Sequence, residues 1–506
     1  MRVELEKFIK KHNIEDIINA AIIMSSDTDI ILTDVNITAA EWIVSNVICY
    51  DQYESNEKFD LYAYNEMKQI SSTLYEPIFQ EIFGEVIKHK EASDEIKKNL
   101  LTSILMKLKN AALRGDAYQF QLMEMSEKLY KPFDSEFMET LGFTFSTWEK
   151  IFVYIYKKYI VILFGTDIDS VKIDKIQKHS FRVLKRELYQ LFQKDEVDSI
   201  ITYLSIKPGD KNLKPVERND FKILYSKPLI DFGEYIYFPL PVTTLLNFPK
   251  LFHYSFIAEK IFTKDVVNKY TENRGDVIEE LTKEYLLRLF DKVYLSLKYP
   301  AETKEFEADI TVQSENTTIL AEAKGKILTL ASLKGNLSVI KDDVYKAIGK
   351  AYEQSVRTIS HIEKNGKFIK ENDDIDEEIY LFNTPWKFPM CIMAENFASI
   401  PSEIYNYVDI KEGKLIPYAV NIYDLDIITR ECISKEEFIN YLIFRQINIK
   451  KLTSMDELDL FGYFKENGLV EIKLEADEVW PMYYTEYFDK KYYDLTVKWF
   501  EVFDFR

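Results

Sequence analysis

Residues 305–324 read EFEADITVQSENTTILAEAK, and this stretch decides how the second half of the chain folds. Residues 305–312 alternate between polar and apolar side chains, as in a half-buried strand, whereas residues 317–324 contain the apolar run 319–321 and suit a buried strand. The polar residues 314–316 between them suit a tight turn. The stretch therefore predicts a β-hairpin with Asp309 on its first strand and Glu322 and Lys324 on its second.

Three charged side chains interrupt this otherwise apolar hairpin. Glu322 and Lys324 are two residues apart, so they share one face of their strand, and Asp309 lies on the neighbouring strand. Burying charges is costly unless they are paired or bind a metal ion. Carboxylate oxygens are the ligands that Mg²⁺ prefers. The hairpin therefore predicts a magnesium site at Asp309 and Glu322, with Lys324 placed to hold or deprotonate a water.

The segments around the hairpin complete a recognisable order of elements. A helix is expected from Gly275 to about Phe290, carrying Glu279, and a first strand at residues 293–297. A second helix is expected from Asp342 to about Ile362, followed by strands at residues 378–383 and 388–394. An acidic-x-basic triplet is common by chance in a chain with 29% charged residues. The order of elements is therefore what gives the triplet its meaning.

This combination resembles the PD-(D/E)xK, or restriction-endonuclease-like, nuclease superfamily of bacterial restriction and anti-phage type. Asp309 stands at the Asp of the motif, with Ala308 where the name of the motif has Pro, and residues 322–324 form its ExK. The resemblance covers roughly residues 275–395. It implies an α+β or α/β chain with an αβββαβ core, in which helices flank a mixed sheet.

The resemblance also implies a chemistry, that of a Mg²⁺-dependent endonuclease that hydrolyses phosphodiester bonds and in which Mn²⁺ can substitute. Asp309, Glu322 and the carbonyl of Ala323 would hold the metal. Lys324 would orient and activate the attacking water, and Glu279 would support the metal or water shell.

The second helix carries further candidates. Gln354 resembles a glutamine that some branches of the superfamily supply to the active site, although a surface glutamine is the open alternative. The chain has 84 acidic and 65 basic residues and a net charge of −19, the wrong sign for a protein that coats nucleic acid. Nucleic acid, with DNA expected rather than RNA, must then be captured by local basic residues. The candidates are Lys326, Lys334, Lys346, Lys350 and Arg357.

The remainder of the chain carries no catalytic constellation. Residues 1–205 are expected to form a helical N-terminal domain for binding or assembly, residues 206–268 a connector of β-hairpin and helix, residues 269–450 the nuclease domain, and residues 451–506 an aromatic-rich packing segment. A homo-oligomer, or a partner protein docking on the N-terminal domain, would supply affinity and control.

Finer expectations concern the connector and the end of the nuclease domain. The connector hairpin is expected to pair residues 221–225 with 235–238, and its helix to run over residues 245–267. An edge strand is expected at residues 419–426, with Asp424 and Asp426 at a turn or rim.

Composition excludes several classes of protein. Hydrophobic residues make up 47% of the chain, as in ordinary globular proteins. Three distant cysteines and five histidines cannot assemble a zinc cluster or a disulfide framework, and Cys391 is expected to pack as a small hydrophobe. The N-terminus predicts no secretory signal, and the most apolar stretch, residues 151–165, is too short to span a bilayer. A cytoplasmic protein without a membrane partner is expected.

One alternative from a different class is a non-catalytic nucleic-acid-binding or assembly protein that retains a nuclease-like fold. A decayed site should have lost at least one of its charged residues. Asp309, Glu322 and Lys324 are all present, which favours the enzyme.

Overall fold

The computed structural model describes residues 2–25, 33–51, 57–73, 88, 93–112, 117–164, 181–217, 220–257, 259–301, 304–371, 376–473 and 484–492. These residues divide into two compact units. The first contains residues 2–100 and 108–270, and the second contains residues 101–107 and 271–492. Each unit combines helices with a sheet of mixed strand direction. The expected mixture of α and β structure is therefore confirmed.

The helices are numbered in chain order. They are α1 Arg2–Lys11, α2 Ile14–Ser25, α3 Thr33–Val47, α4 Leu61–Ser72, α5 Asp94–Ala112, α6 Gln119–Tyr130, α7 Asp134–Leu141, α8 Phe145–Phe164, α9 Lys185–Leu191, α10 Lys194–Leu204, α11 Pro241–Leu246, α12 His253–Ile257, α13 Lys264–Leu287, α14 Leu330–Leu333, α15 Leu337–Val344, α16 Lys350–Lys364, α17 Ile422–Glu431, α18 Lys435–Asn448 and α19 Glu457–Asn467. None within the described ranges is both long and apolar enough to cross a membrane.

The strands form one sheet in each unit. They are β1 Val183–Leu184, β2 Ser205–Ile206, β3 Leu229–Asp231, β4 Tyr235–Tyr237, β5 Val293–Ala301, β6 Lys304–Gln313, β7 Thr317–Lys324, β8 Lys367–Lys370, β9 Glu377–Tyr380, β10 Trp386–Met393 and β11 Tyr418–Asn421. The first sheet has the order β1-β4-β3-β2, and the second has the order β11-β10-β7-β6-β5-β8-β9.

The first unit is held by buried aromatic rings and by charges that are buried in pairs. The Phe256 and Tyr270 rings stack with their centroids 4.1 Å apart. Lys131 Nζ lies 3.1 Å from a carboxylate oxygen of both Glu127 and Glu149. Glu149 is buried, and one of its oxygens accepts no hydrogen bond from the described residues. The Glu149 carboxyl is therefore incompletely compensated when it ionises.

Two expectations for the connector are wrong. Residues 221–225 form no strand, because Ile223–Tyr225 is a 3-10 turn, and the hairpin instead pairs β3 with β4. A short apolar run cannot by itself distinguish a strand from a buried turn. Residues 245–267 are likewise not one helix. Pro249, which has no N–H to donate, lies in a second 3-10 turn between α11 and α12.

The predicted hairpin at residues 305–324 is confirmed as β6 and β7, which lie in the middle of the second sheet. They pair antiparallel from Ile310 with Ala321 to Gln313 with Thr318, and Ser314 donates a backbone hydrogen bond of 2.8 Å to Thr317 across the turn. Strand β5 pairs antiparallel with β6, whereas β10 lies parallel to β7 and β11 parallel to β10.

Two helices of this unit differ in extent from their predictions. Helix α13 begins at Lys264, so Gly275, the expected start, lies within it. The expected single helix from Asp342 to Ile362 is divided into α15 and α16 by a π-helical turn at Tyr345–Gly349. A Cβ on Gly349 would lie 2.6 Å from the Tyr345 ring. The turn therefore depends on a residue without a side chain.

The expected edge strand at residues 419–426 ends early. Strand β11 stops at Asn421, whose side chain accepts a hydrogen bond of 2.8 Å from the backbone of Asp424 and so caps helix α17. Asp424 and Asp426 are buried within this helix rather than placed at a turn or rim. Asp426 forms ion pairs with Arg288 at 2.6 Å and Arg430 at 2.8 Å. These two arginines compensate its buried charge.

Cys391 is fully buried on β10 and packs as a small hydrophobe, as expected. Its thiol donates to the carbonyl of Ile348 over 3.6 Å. Burial raises the pKa of the thiol far above its ordinary value, with the nearby Glu322 carboxyl acting in the same direction. A thiolate nucleophile at this position is therefore disfavoured.

The aromatic-rich segment at residues 451–506 is described only in part, and residues 474–483 and 493–506 lie outside the described residues. Phe488 and Tyr492 are buried, and the Tyr492 hydroxyl donates a 2.5 Å hydrogen bond to Glu431 of α17. The described tail thus packs against the second unit.

Candidate active site

Asp309 and Lys324 lie on the neighbouring central strands of the second sheet, Asp309 in the middle of β6 and Lys324 at the end of β7. One carboxylate oxygen of Asp309, Oδ2, accepts hydrogen bonds from the backbone N–H of Ala323 at 3.0 Å and from Lys324 Nζ at 3.1 Å. The aspartate side chain is 12% exposed. These bonds hold the middle of β6 to the end of β7 and orient the lysine.

Glu322 is the least compensated charge in this cluster. Its side chain is 1% exposed, and neither carboxylate oxygen accepts a hydrogen bond from the described residues. The nearest cation is Lys324 Nζ, at 3.8 Å from Oε2. Burial, followed by the Asp309 carboxyl, raises the pKa of Glu322 well above its usual range. A buried carboxyl without a donor is costly, so this position suits a bound cation.

Helix α13 brings Glu279 to the same cluster. Burial raises the pKa of Glu279 to about 8, and the carboxyl groups of Asp309 and Glu307 act in the same direction. Arg274, on the same helix, donates a hydrogen bond of 2.7 Å to the carbonyl of Gly325, the residue after β7. This bond ties the helix to the end of the strand that carries Glu322 and Lys324.

The backbone beside Asp309 adopts an unusual conformation. Ser296 of β5 has a φ of 51°, in the left-handed region. The β5–β6 ladder pairs Leu295 with Ile310 and Leu297 with Ala308, so Ser296 falls opposite Asp309 at an interruption of the pairing. Such conformations cost free energy and are concentrated at functional sites.

The segment after β7 is held by a buried carboxylate on α15. Asp343 is 1% exposed and accepts hydrogen bonds from Thr329 N at 2.9 Å and Ser332 Oγ at 2.7 Å. Lys326 Nζ lies 2.9 Å from its other oxygen. Hydrogen bonds from Lys326, Ser332 and Thr329 outweigh burial and lower the pKa of Asp343. Lys326, expected to contact nucleic acid, is therefore engaged in fixing this segment.

The remaining basic candidates are placed differently. Lys334, Lys346 and Lys350 are exposed, and Lys346 forms an ion pair of 2.7 Å with Asp342. Gln354 is half-buried on α16, and among the described residues no hydrogen bond joins its side chain to the carboxyl groups. The structure therefore does not bring Gln354 or these three lysines into the cluster by any direct contact.

Arg357, also on α16, lies over the ring of Phe306 with its guanidinium carbon 4.0 Å from the ring centroid. Phe306 belongs to β6, three residues before Asp309. The helix is fixed to the sheet by Ser355, which donates a hydrogen bond of 3.3 Å to the carbonyl of Leu320 on β7. The structure thus brings Arg357 to β6, the strand that carries Asp309.

Sequence analysis missed four residues that shape this site, namely Arg274, Ser296, Phe306 and Asp343. Arg274 and Asp343 act through contacts with residues distant in sequence, and nothing in their local pattern predicts those contacts. Phe306 carried a usable signal, because an aromatic residue near the start of a strand is a natural platform for a cation.

The donors present fit a magnesium ion. Among the described residues, no group of three or more His, Cys, Asp and Glu side chains forms a complete metal cage. Mg²⁺ usually keeps several waters and takes one or two carboxylates from the protein. The two unmet oxygens of Glu322, together with Asp309 and the Ala323 carbonyl, suit that partial shell.

Comparison of the chain with protein-family models, with curated proteins and with solved structures finds no match.

Proposed function

We propose that the second unit is a metal-dependent endonuclease that hydrolyses phosphodiester bonds of nucleic acid, with DNA as its substrate. One observation carries the proposal. Glu322 is a fully buried carboxyl without a hydrogen-bond donor, and it lies beside a second carboxyl, Asp309, and the ammonium of Lys324. Such a group is unfavourable in a purely structural core, whereas a cation-binding site requires it.

The order of elements around the cluster supports the same proposal. Helix α13 precedes three antiparallel strands, β5 to β7, and the pieces α15 and α16 precede β10, which lies parallel to β7. This is the order that the resemblance to the PD-(D/E)xK superfamily implies. We therefore propose a restriction-endonuclease-like core, and with it a cellular role in defence against foreign nucleic acid.

In the proposed mechanism, Asp309, Glu322 and the Ala323 carbonyl hold Mg²⁺, which when bound would lower the pKa of a water and offset charge on the phosphate. The water oxygen forms a bond to phosphorus and releases a proton, the bond from phosphorus to the leaving oxygen breaks, and the leaving oxygen takes up a proton. Lys324, oriented by its hydrogen bond to Asp309, positions the attacking water. Glu279 supports the surrounding water shell.

The net charge of −19 affects how such an enzyme would capture nucleic acid. Long-range repulsion of a polyanion is screened over about 8 Å at physiological salt, so the local groove decides capture. We propose that self-association, or a partner protein docking on residues 1–205, supplies the remaining affinity and control.

The test is cleavage of plasmid DNA, linear duplex and single-stranded RNA by the purified chain, in Mg²⁺, Mn²⁺ or excess EDTA. Cleavage of DNA that needs the metal and is lost in Asp309→Asn supports the proposal. Cleavage that persists in EDTA, or that Asp309→Asn retains in full, would refute it, as would inactivity on every substrate in both metals. A preference for RNA would correct the substrate only.

A further inference from the structure

Arg357 differs from the basic residues that were expected to lie along the same helical stretch. Lys346 is exposed and paired with Asp342. Arg357 is half-buried, and its guanidinium lies 4.0 Å from the centre of the Phe306 ring. A cation over the face of an aromatic ring is attracted to it electrostatically. Phe306 therefore holds the guanidinium at the start of β6 rather than in open solvent.

The hydrogen-bonding state of Arg357 is also unusual. Its Nε is buried and has no hydrogen-bond partner among the described residues. A guanidinium carries five N–H donors in a planar fork that matches the oxygens of a carboxylate or a phosphate. A buried N–H without an acceptor in the protein suits a ligand that brings its own acceptor oxygen.

The charge of Arg357 also reaches the carboxyl cluster. Phe306, over which the Arg357 guanidinium lies, is three residues before Asp309 on β6, and Lys324 is the other cation beside the carboxyl groups. The cluster contains three carboxyl groups, those of Glu279, Asp309 and Glu322, against these two cations. A phosphodiester is negatively charged, so its binding beside these carboxyl groups needs a positively charged side chain fixed next to the phosphate.

We propose that Arg357 is a catalytic residue that contacts the phosphate being hydrolysed, rather than a surface residue that captures the nucleic-acid backbone. This inference rests on the proposed function and extends it. As the water oxygen bonds to phosphorus and the leaving oxygen departs, negative charge grows on the non-bridging oxygens. The donors of Arg357, fixed in place by Phe306, stabilise that charge.

The two roles of a basic residue predict different kinetics. A lysine that contacts the backbone at the surface weakens binding when it is removed and lowers the dependence of affinity on salt. A group that acts on the reacting phosphate changes the rate of the bound complex, because it stabilises the transition state more than the substrate. The division of an effect between kcat and KM therefore distinguishes them.

The experiment compares Arg357→Met, Arg357→Lys and Phe306→Leu with the wild-type chain. Lys414→Met is the matched control, because Lys414 pairs with Glu363 of the same helix at 2.8 Å without a place in the site. Cleavage of a short DNA duplex in Mg²⁺ gives kcat and KM. Mn²⁺ binding without nucleic acid, followed by electron paramagnetic resonance, and thermal melting report on the metal site and the fold.

We expect Arg357→Met to lower kcat by about 10²–10³-fold, the usual effect of removing one donor from developing negative charge. KM, Mn²⁺ affinity and the melting temperature should stay close to wild type. Arg357→Lys should recover part of the rate, because an ammonium keeps the positive charge. It cannot form the two parallel hydrogen bonds of a guanidinium or stack on a ring as a guanidinium does. Phe306→Leu should reduce kcat less than Arg357→Met, and Lys414→Met should leave it unchanged.

Several results would overturn this inference while leaving the proposed function intact. They are wild-type kcat in Arg357→Met, a loss confined to KM with a weaker salt dependence, and loss of Mn²⁺ binding or of folding in that variant. A wild-type chain that cleaves nothing would instead refute the proposed function. In that case the catalytic role of Arg357 falls with the proposed function, whereas the results above refute that role alone.

Discussion

Lys324 Nζ lies 3.1 Å from Asp309 Oδ2 but 3.8 Å from Glu322 Oε2, so the lysine compensates the aspartate and leaves the glutamate without a close partner. The two carboxyl groups are therefore not equivalent, although both interrupt the same hairpin. Asp309 already accepts hydrogen bonds from the protein, whereas Glu322 has no hydrogen-bond donor among the described residues and suits a bound cation.

Replacing either member of the satisfied pair should abolish cleavage with little loss of stability. Asp309→Asn removes one carboxylate ligand, and Lys324→Ala removes the group that positions the water. Both side chains are polar interruptions of an apolar strand pair, so their loss leaves no large cavity. Cleavage assays with melting curves measure the two effects separately. Asp409→Asn, an exposed aspartate paired with Lys411, is the control. Full activity in Asp309→Asn would remove this residue from the site.

Glu322→Gln should stabilise the metal-free protein by about 1–3 kcal/mol at a pH above the raised pKa of Glu322, because it removes the cost of ionising a buried carboxyl. The same change should eliminate any rise in melting temperature on adding Mg²⁺ or Mn²⁺. Denaturant unfolding with and without metal measures both effects. A less stable Glu322→Gln protein would show that this carboxyl is satisfied in the folded state after all.

Metal selectivity follows from the oxygen donors of Asp309, Glu322 and Ala323. Mg²⁺ and Mn²⁺ should support cleavage, whereas Ca²⁺, which is larger and coordinates more loosely, should permit substrate binding with poor turnover. Cleavage rates across the three ions, with binding measured in Ca²⁺, provide the comparison. Equal turnover in Ca²⁺ would contradict the tight geometry assumed for the site.

In the first unit, Glu149 predicts a dependence of stability on pH. Burial, then Glu127, raises its pKa from the ordinary 4.5 to about 8. The folded state therefore holds a proton that the unfolded chain has released, and this group makes stability fall as pH rises from about 4.5 to 8. Glu149→Gln removes that loss and should be more stable than wild type at pH 9 by about 1–3 kcal/mol.

The control for Glu149 is Glu187→Gln, because Glu187 forms a partly exposed pair with Lys158 and has no comparable burial. Melting curves of wild type and both variants at pH 5 and pH 9 test the sign. A Glu149→Gln advantage that is equal at both pH values would indicate a packing effect rather than ionisation.

The left-handed backbone of Ser296 predicts opposite effects for two substitutions. Ser296→Gly should be neutral or stabilising, because glycine adopts a φ of 51° without steric cost. Ser296→Val should destabilise by about 1–2 kcal/mol, because a β-branched residue is disfavoured there. Urea unfolding measures both variants. If valine is tolerated as well as glycine, the strand pairing opposite Asp309 is not under backbone strain.

The sequence predicted best where local pattern and burial agree. The bounds of β7 were predicted to the residue, because the apolar run at residues 319–321, flanked by threonines that suit a strand, follows a polar turn. Strand β8 was missed, since Lys367–Lys370 has only two apolar residues and pairs at the outer part of the sheet. Helix α17 was read as strand, because the cap at Asn421 converts an apolar run into a helix start.

The chemistry of the site was only partly predictable for a related reason. Asp309, Glu322 and Lys324 follow from the spacing within one hairpin, which fixes their neighbours. Ser296 lies on the adjoining β5, and its φ of 51° has no signature in the residue type. The contact of Arg357 with Phe306 joins α16 to β6, two elements that are far apart in the chain. It therefore depends on how the helix packs against the sheet.

The π-helical turn at Tyr345–Gly349 has a consequence for how this protein can vary. A π turn holds one residue more than an α-helical turn, and each residue of a helix advances its face by about 100°. Deleting a single residue there would restore regular winding and change the phase of the downstream helix only slightly, because the wider turn already absorbs the extra residue, so Arg357 would stay near Phe306. A deletion between that turn and Arg357 would instead rotate the Arg357 side chain by about 100° away from Phe306, so the π turn is where this helical stretch can lose a residue and keep its alignment with the sheet.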